Sequence, residues 1–234
     1  MAQTCSCSGK LWAAAIIAVV IIAGLTAIAY TNSNTALKNT AQSGLKTTAG
    51  TMATQINASE ISGLKPGDEN TAQYLAVAKK LRTMRSMNDQ IINAYIVKVN
   101  TTDKSATFLV DDLYPYDPQG SARIGQVDDS PDKMMIFAAL SGPTTSPEPY
   151  SDSWGSFMSA YAPIDDSAND SNGNTYAILG IDVAANDYVS STTQGGWIVA
   201  TGVVSIIVVL GLTFLLTRKG EVAGKSDSDK PKTP

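Results

Sequence analysis

Histidine is absent from all 234 residues. No Ser-His-Asp or Cys-His nucleophile can therefore be assembled, and no His-liganded zinc site. There is also no histidine to accept a phosphoryl group, so the chain is not itself a histidine kinase. Cysteine is almost as scarce: Cys5 and Cys7 are the only two. Everything after them lacks a disulfide and must be held by an apolar core, which a block of this length can supply. The Cys5-Ser6-Cys7 segment lies beside an apolar run where a lipid chain could be attached, although two reduced thiols are the simpler reading. No Walker loop or dinucleotide fingerprint occurs, and no cofactor is implied. A paired-carboxylate hydrolase is the one enzyme class left to consider. No spacing singles out such a pair, so the chain reads as a non-enzyme.

Charge is missing from two long stretches. Residues 11–30 and 195–217 contain no Asp, Glu, Lys or Arg. Roughly 20 apolar residues are needed to cross about 30 Å of hydrocarbon, and both runs reach that length. The second begins near Trp197, an interfacial aromatic, and ends at Arg218 and Lys219. The first also resembles a secretory signal, with Lys10 before it and Ala27-Ile28-Ala29 as a small-residue cleavage site. It is long for a signal core, and an uncleaved anchor is the preferred reading. Lys10 and the cluster Arg218, Lys219, Lys225, Lys230 and Lys232 place both ends in the cytoplasm by the positive-inside rule. The organisation expected is a head (1–10), a transmembrane helix (11–30), an extracytoplasmic domain (31–194), a second transmembrane helix (195–217) and a disordered cytoplasmic tail (218–234). Neither end is long enough to fold into an output domain.

The central block carries eleven Lys or Arg against eighteen Asp or Glu, a net of −7. An acidic exterior argues against nucleic acid or anionic lipid as a partner. The charge is polarised. Residues 31–100 hold eight basic and four acidic groups, and residues 101–194 hold three and fourteen.

Residues 34–56 predict a helix, because Leu37, Ala41, Leu45, Thr48, Met52 and Ile56 recur at helical spacing on one stripe. Gly63, Pro66 and Gly67 break it. A second helix is expected over 69–88, burying Tyr74, Leu75, Ala78, Leu81 and Met84 or Arg85. Its basic face, with Lys79, Lys80, Arg82 and Arg85, is solvated or answers the acidic second half of the block. The period then changes. Residues 91–99 and 106–111 read as a hairpin, followed by a Pro- and Gly-rich loop over 112–132. A short helix over about 132–140 and a second Pro-rich loop over 142–149 come next. Strands at 156–164 and 175–183 are joined through Asn172-Gly173, a hairpin signal. The sum is an α+β domain: an antiparallel sheet of about five strands with a long N-terminal helix.

Residues 149–164 read Pro-Tyr-Ser-Asp-Ser-Trp-Gly-Ser-Phe-Met-Ser-Ala-Tyr-Ala-Pro-Ile, and residues 178–183 read Ile-Leu-Gly-Ile-Asp-Val. Together with the layout of anchor, long helix, module and anchor, these segments resemble the single Cache domain, the PAS-like extracytoplasmic sensor module of microbial membrane receptors. The resemblance covers most of 31–194 and is most specific over 149–184. It implies a small-molecule pocket on one sheet face, roofed by the Pro-rich loops and taking a carboxylate, amino acid or amine. By position, Tyr150, Asp152 and Asp182 match recurrent pocket residues, and Trp154 would form a wall. Amino-acid-binding relatives often carry Arg-x-Trp-Tyr on the short helix. Here Lys133-Met134-Met135-Ile136 stands in its place, which removes or alters the α-carboxylate clamp.

The same residues can be read without the family. Asp182 lies on an apolar strand, where a carboxylate needs a partner. A ligand cation, Arg123, Lys133 or backbone amides would serve, and so would a purely structural hydrogen bond. Tyr150 and Trp154 could stack on a ligand, a cation included, or simply pack. Asp165, Asp166, Asp170, Asn172 and Asn174 fail the calcium-loop spacing and read as a solvated hairpin tip. Asp111-Asp112 and Asp128-Asp129 read as surface charge. Asn57, Asn100 and Asn169 begin glycosylation sequons.

Two functions fit these features. In the first, the chain is a two-pass membrane sensor that binds a small molecule outside the cell. It would signal through its membrane helices to a partner, either a second copy or another membrane protein. In the second, a degenerate Cache module is a non-catalytic assembly subunit of a membrane or cell-surface complex. Ala200, Gly202 and Gly211 would then supply small-residue packing sites.

Overall fold

Period-two patterning decides how the sheet of this protein is buried. In the computed structural model, which describes residues 6–164, 177–193 and 195–228, the chain divides into two units. One comprises residues 38–192, the other residues 1–37 with 193–234.

In the second of these units lie most of α1 (Ser6–Ala53) and all of α6 (Gly196–Ser228). Both helices are long and apolar enough to cross a membrane, with a mean hydropathy of 2.6 over their most apolar windows. Ile16, Val20 and Leu25 of α1, and Val204, Ile207 and Leu212 of α6, point outward with more than half their surface exposed. Gly202 lies so close to Thr26 that a Cβ there would collide with its side chain. A Cβ on Gly195 would come within 2.9 Å of the Tyr30 ring and of Asn34 Oδ1. Gly211 has nothing within 4 Å, and Ala200 is exposed. Of the three small residues singled out above, only Gly202 makes a close approach.

In residues 38–192 the end of α1 is followed by α2 (Ala58–Ile61) and α3 (Ala72–Arg85). Asn57 starts α2 with a capping box: its side chain accepts from the Ser59 amide at 2.9 Å, and Glu60 accepts from the Asn57 amide at 3.0 Å. Thr71 caps α3. The strands are β1 (Ile91–Asn100), β2 (Ser105–Asp111), β3 (Thr144–Thr145), β4 (Tyr150–Ser151), β5 (Ser156–Pro163) and β6 (Ala177–Ala184). All pair antiparallel in the order β2-β1-β6-β5-β3, with β4 also on β5. Two further helices complete the unit: α4 (Lys133–Ala138), extended by a 3-10 turn, and α5 (Ala185–Thr192) directly after β6.

Alternation gives each sheet face its own cluster. Ile96, Leu179, Ile181, Met158 and Ala160 face one side, where Leu45, Ala49 and Met52 of α1, Leu81 of α3 and Tyr188 of α5 cover them. Tyr95, Val97, Ile178 and Tyr161 face the other, over Ile136 of α4. On that second face, register stacks cross-strand rows: Asn93–Asp182–Ser159, then Tyr95–Gly180–Tyr161. A Cβ on Gly180 would run into the Tyr95 ring, so glycine here lets the tyrosine lie flat across the neighbouring strand.

The mixed α+β architecture agrees with the expectation, and the differences are local. Helix α2, strands β3 and β4, and helix α5 are additional elements, too short or too polar to declare a period. Leu75, expected on the buried side of α3, is exposed, and Val77 occupies that side instead. Asp111, Asp112 and Asp128 were expected at the surface. They are 2%, 0% and 4% exposed, because protein groups take over the role of water around them: backbone amides at all three, and the Arg85 guanidinium at Asp112. The acidic Asn-Gly tip and Asn169 lie outside the described residues.

Candidate functional site

The second sheet face is only partly covered by α4, and the remainder is a cleft of about 210 Å³. Strands β1 and β6 supply the floor, where alternation turns Asn93, Tyr95 and Asp182 toward it. The loop over 112–130 and the β4–β5 turn supply the walls.

Asp182 is the centre of the floor and is only 6% exposed. Its Oδ1 accepts hydrogen bonds from Ser159 Oγ at 2.6 Å and Tyr95 OH at 3.2 Å. Tyr150 OH lies 2.8 Å from Ser159 Oγ. No cation among the described residues answers this carboxylate, and burial pushes its pKa up to about 8 against the two hydroxyl bonds that favour ionisation. A second buried carboxylate, Asp132, accepts from Ser146 Oγ at 2.5 Å and Tyr161 OH at 2.9 Å. The Ser159 amide donates to Ser146 Oγ at 3.2 Å, so hydroxyl and amide groups connect the two acids. Burial raises the phenols of Tyr95, Tyr150 and Tyr161 well above their usual range, which keeps them neutral donors.

The walls are shaped by other carboxylates. Asp111 accepts from the Leu113 amide at 2.9 Å and the Ala122 amide at 3.0 Å, tying down both ends of the 113–122 segment. Burial lifts its pKa to about 6. Asp112 accepts from the Ala94 amide at 3.0 Å and from Arg85 Nε at 2.7 Å, which joins α3 to the sheet. Asp152 accepts from the amides of Trp154 at 2.7 Å and Gly155 at 3.2 Å. This Asx turn presents Trp154, which is 39% exposed, at the cleft rim. Gly155 has a φ of 152°, and a Cβ there would come within 2.8 Å of the Phe157 ring. Only glycine closes this turn without strain.

Of the residues selected from sequence, Tyr150, Asp152, Trp154 and Asp182 share this one cleft, while Arg123 and Lys133 are not among its lining residues. Arg123 is exposed in the turn before Gln126, and Lys133 is half-buried at the start of α4. The cleft also contains Tyr95, Phe108, Asp111 and Asp128, which sequence reasoning did not select. The signal for Tyr95 was available, since it has the same strand parity as Asn93 and aligns with Gly180 in the glycine-containing strand. Asp111 and Asp128 carried no such signal.

No protein-family model matches the chain, and no curated protein matches it. Among solved structures the chain is similar to the periplasmic domain of LuxQ from Vibrio cholerae. The identity is 11% and the TM-score 0.41, over 72% of this chain and 69% of that one.

Proposed function

We propose that the protein is a membrane-anchored sensor whose unit 38–192 is an extracytoplasmic, PAS-like Cache module that binds a small molecule in the cleft. The observation that carries this reading is the cleft itself: a concave site with a buried acid on its floor and aromatic walls, in a unit whose chain enters and leaves through apolar helices. Sites of this form are the usual small-molecule sites of folded domains.

The mechanism is a population shift. A ligand bound better by a closed arrangement of the 112–130 and 150–157 segments biases the unit toward that arrangement by its differential affinity alone. The signal has a short way to travel. Val183 and Ala184 alone separate Asp182 from α5. On the opposite sheet face, α5 through Tyr188 and α1 through Leu45 and Met52 belong to one apolar cluster. A shift of β6 on ligand binding therefore reaches both segments that leave the unit. The output passes to a partner, a second copy or another membrane protein, through the membrane helices.

The test is a thermal-shift screen of the full chain in lipid nanodiscs against a metabolite library. Saturable stabilisation by a small molecule is expected. A chain that no molecule stabilises, and that co-purifies with a fixed protein partner, would instead be an assembly subunit.

A further inference from the structure

The lining of the cleft specifies the charge of its ligand. Asp111, Asp128, Asp129, Asp152 and Asp182 all line it, and no lysine or arginine does so among the described residues. Arg85 is held by Asp112, and neither of the two lines the cleft. An anion entering here would meet acidic groups and no cation among the described lining residues, at low dielectric, where its repulsion from the ionised ones is least screened.

A cluster of acids alone would say little, but Asp182 adds an independent observation. It is more than nine-tenths buried and lines the cleft. Both of its hydrogen bonds fall on Oδ1, leaving Oδ2 without a hydrogen-bond partner among the described residues. Asn93 repeats the pattern beside it, its buried Oδ1 having no donor. Asp152 likewise uses Oδ1 for both of its amide bonds. The cleft therefore presents Asn93 Oδ1, which has no donor, and the Oδ2 atoms of Asp182 and Asp152, which bond to no described residue.

The ring faces agree with the charge. Tyr95 and Phe108 form a tilted pair at 5.4 Å, and Tyr150 and Phe157 an edge-on pair at 6.2 Å. Trp154 lies at the rim. Such faces attract a cation within about 6 Å. A metal ion is a poorer fit, because no three acidic side chains converge to ligate one among the described residues. The volume, about 210 Å³, lies below the roughly 300–1,000 Å³ of drug-sized sites and suits a small molecule such as a simple amine.

We propose that the cleft takes a small organic ammonium ion without a carboxylate, its N–H groups bonding the free oxygens of Asp182 and Asp152 and its stem lying against Tyr95, Tyr150 and Trp154. This rests on the reading of the cleft as a ligand site and narrows it to one chemical class. The ordinary amino acids are excluded by their carboxylate, which has no cationic partner among the lining residues.

The experiment is calorimetric titration of the full chain in nanodiscs with matched probes. Butylamine, 1,4-diaminobutane and phenethylamine are compared with butyrate, succinate and phenylacetate. Saturable binding of at least one amine is expected, at least tenfold tighter than its matched acid. Asp182→Asn, which keeps the shape and one acceptor, should weaken that amine at least tenfold, and Trp154→Ala, at the exposed rim, should weaken it several-fold. Binding of an acid in preference to its amine, lost in Asp182→Asn, would overturn the ammonium assignment and leave the sensor reading standing. Silence from every probe and from the metabolite library would overturn both. An amine bound equally well by folded Asp182→Asn and Trp154→Ala proteins would overturn the assignment of this cleft.

Discussion

At the residue scale, Asp182 decides how the molecule responds to pH. Its carboxyl titrates at about 8 in the folded chain, against about 4 when unfolded. Between these values the folded state holds a proton that the unfolded state has released, so stability falls as pH rises. The contribution is fully present below about pH 4 and lost as pH climbs through about 8. Asp111, raised to about 6, adds a shallower change of the same sign. Asp182→Asn should flatten this slope and unfold at a higher temperature than the parent at pH 8, by the equivalent of a few kcal/mol. Thermal unfolding of both proteins at pH 5 and pH 8 checks it. Ammonium binding has the opposite dependence, because a cation in the cleft expels the Asp182 proton. Amine affinity should rise up to about tenfold per pH unit toward pH 8 and level off above it. The groups facing Asp182 are Tyr95 from β1, Ser159 from β5 and Tyr150 from β4, with Asp132 and Asp111 further off. The two phenols stay neutral through this window. Asp182 itself was legible in sequence, since a carboxylate on an apolar strand demands a partner. Asp111, Asp112 and Asp128 were not. Paired aspartates in Pro- and Gly-rich sequence usually face water, and only the closed loop reveals the amides they serve.

At the element scale, two contacts hold the site in register. The first is Gly180 between Tyr95 and Tyr161. Gly180→Ala would displace the Tyr95 ring from its bond to Asp182, and overpacking of this kind costs about 1–3 kcal/mol. A lowered unfolding temperature is expected, with weaker ligand binding than the lost stability alone explains. The second is the Arg85–Asp112 ion pair at 2.7 Å, with Asp112 fully buried. Arg85→Ala strands a buried carboxylate, and breaking such a pair costs about 3–5 kcal/mol. Adding Asp112→Asn should recover part of the loss, because the amide oxygen can still accept from Ala94 while the charge is gone. Unfolding of the single and double variants measures the coupling. The hairpin of β1 and β2 was readable from its β-branched and aromatic residues around a turn-like segment, β5 and β6 from the Asn-Gly signal between them, and α3 from its period. Helix α2 has four residues and β3 and β4 two each, too few to repeat a pattern. Their positions are set by what they pack against.

At the scale of the whole molecule, the proposed topology puts residues 38–192 outside the cytoplasm. Protease added to intact cells should cut within that unit and spare an epitope placed at either end. Protection of the centre with loss of the end epitopes would invert the arrangement. The long uncharged runs made the two long apolar helices legible from composition alone. The cleft was legible only in part, because its walls depend on loop closure and its floor on cross-strand register. The position of Trp154 has a practical consequence. The chain has three tryptophans. Trp12 and Trp197 belong to the apolar helices, while Trp154 stands at the cleft rim. Replacing the other two with phenylalanine would leave a single tryptophan there, which can be excited at wavelengths the nine tyrosines do not absorb, so occupancy could be followed by emission in real time without attaching any label.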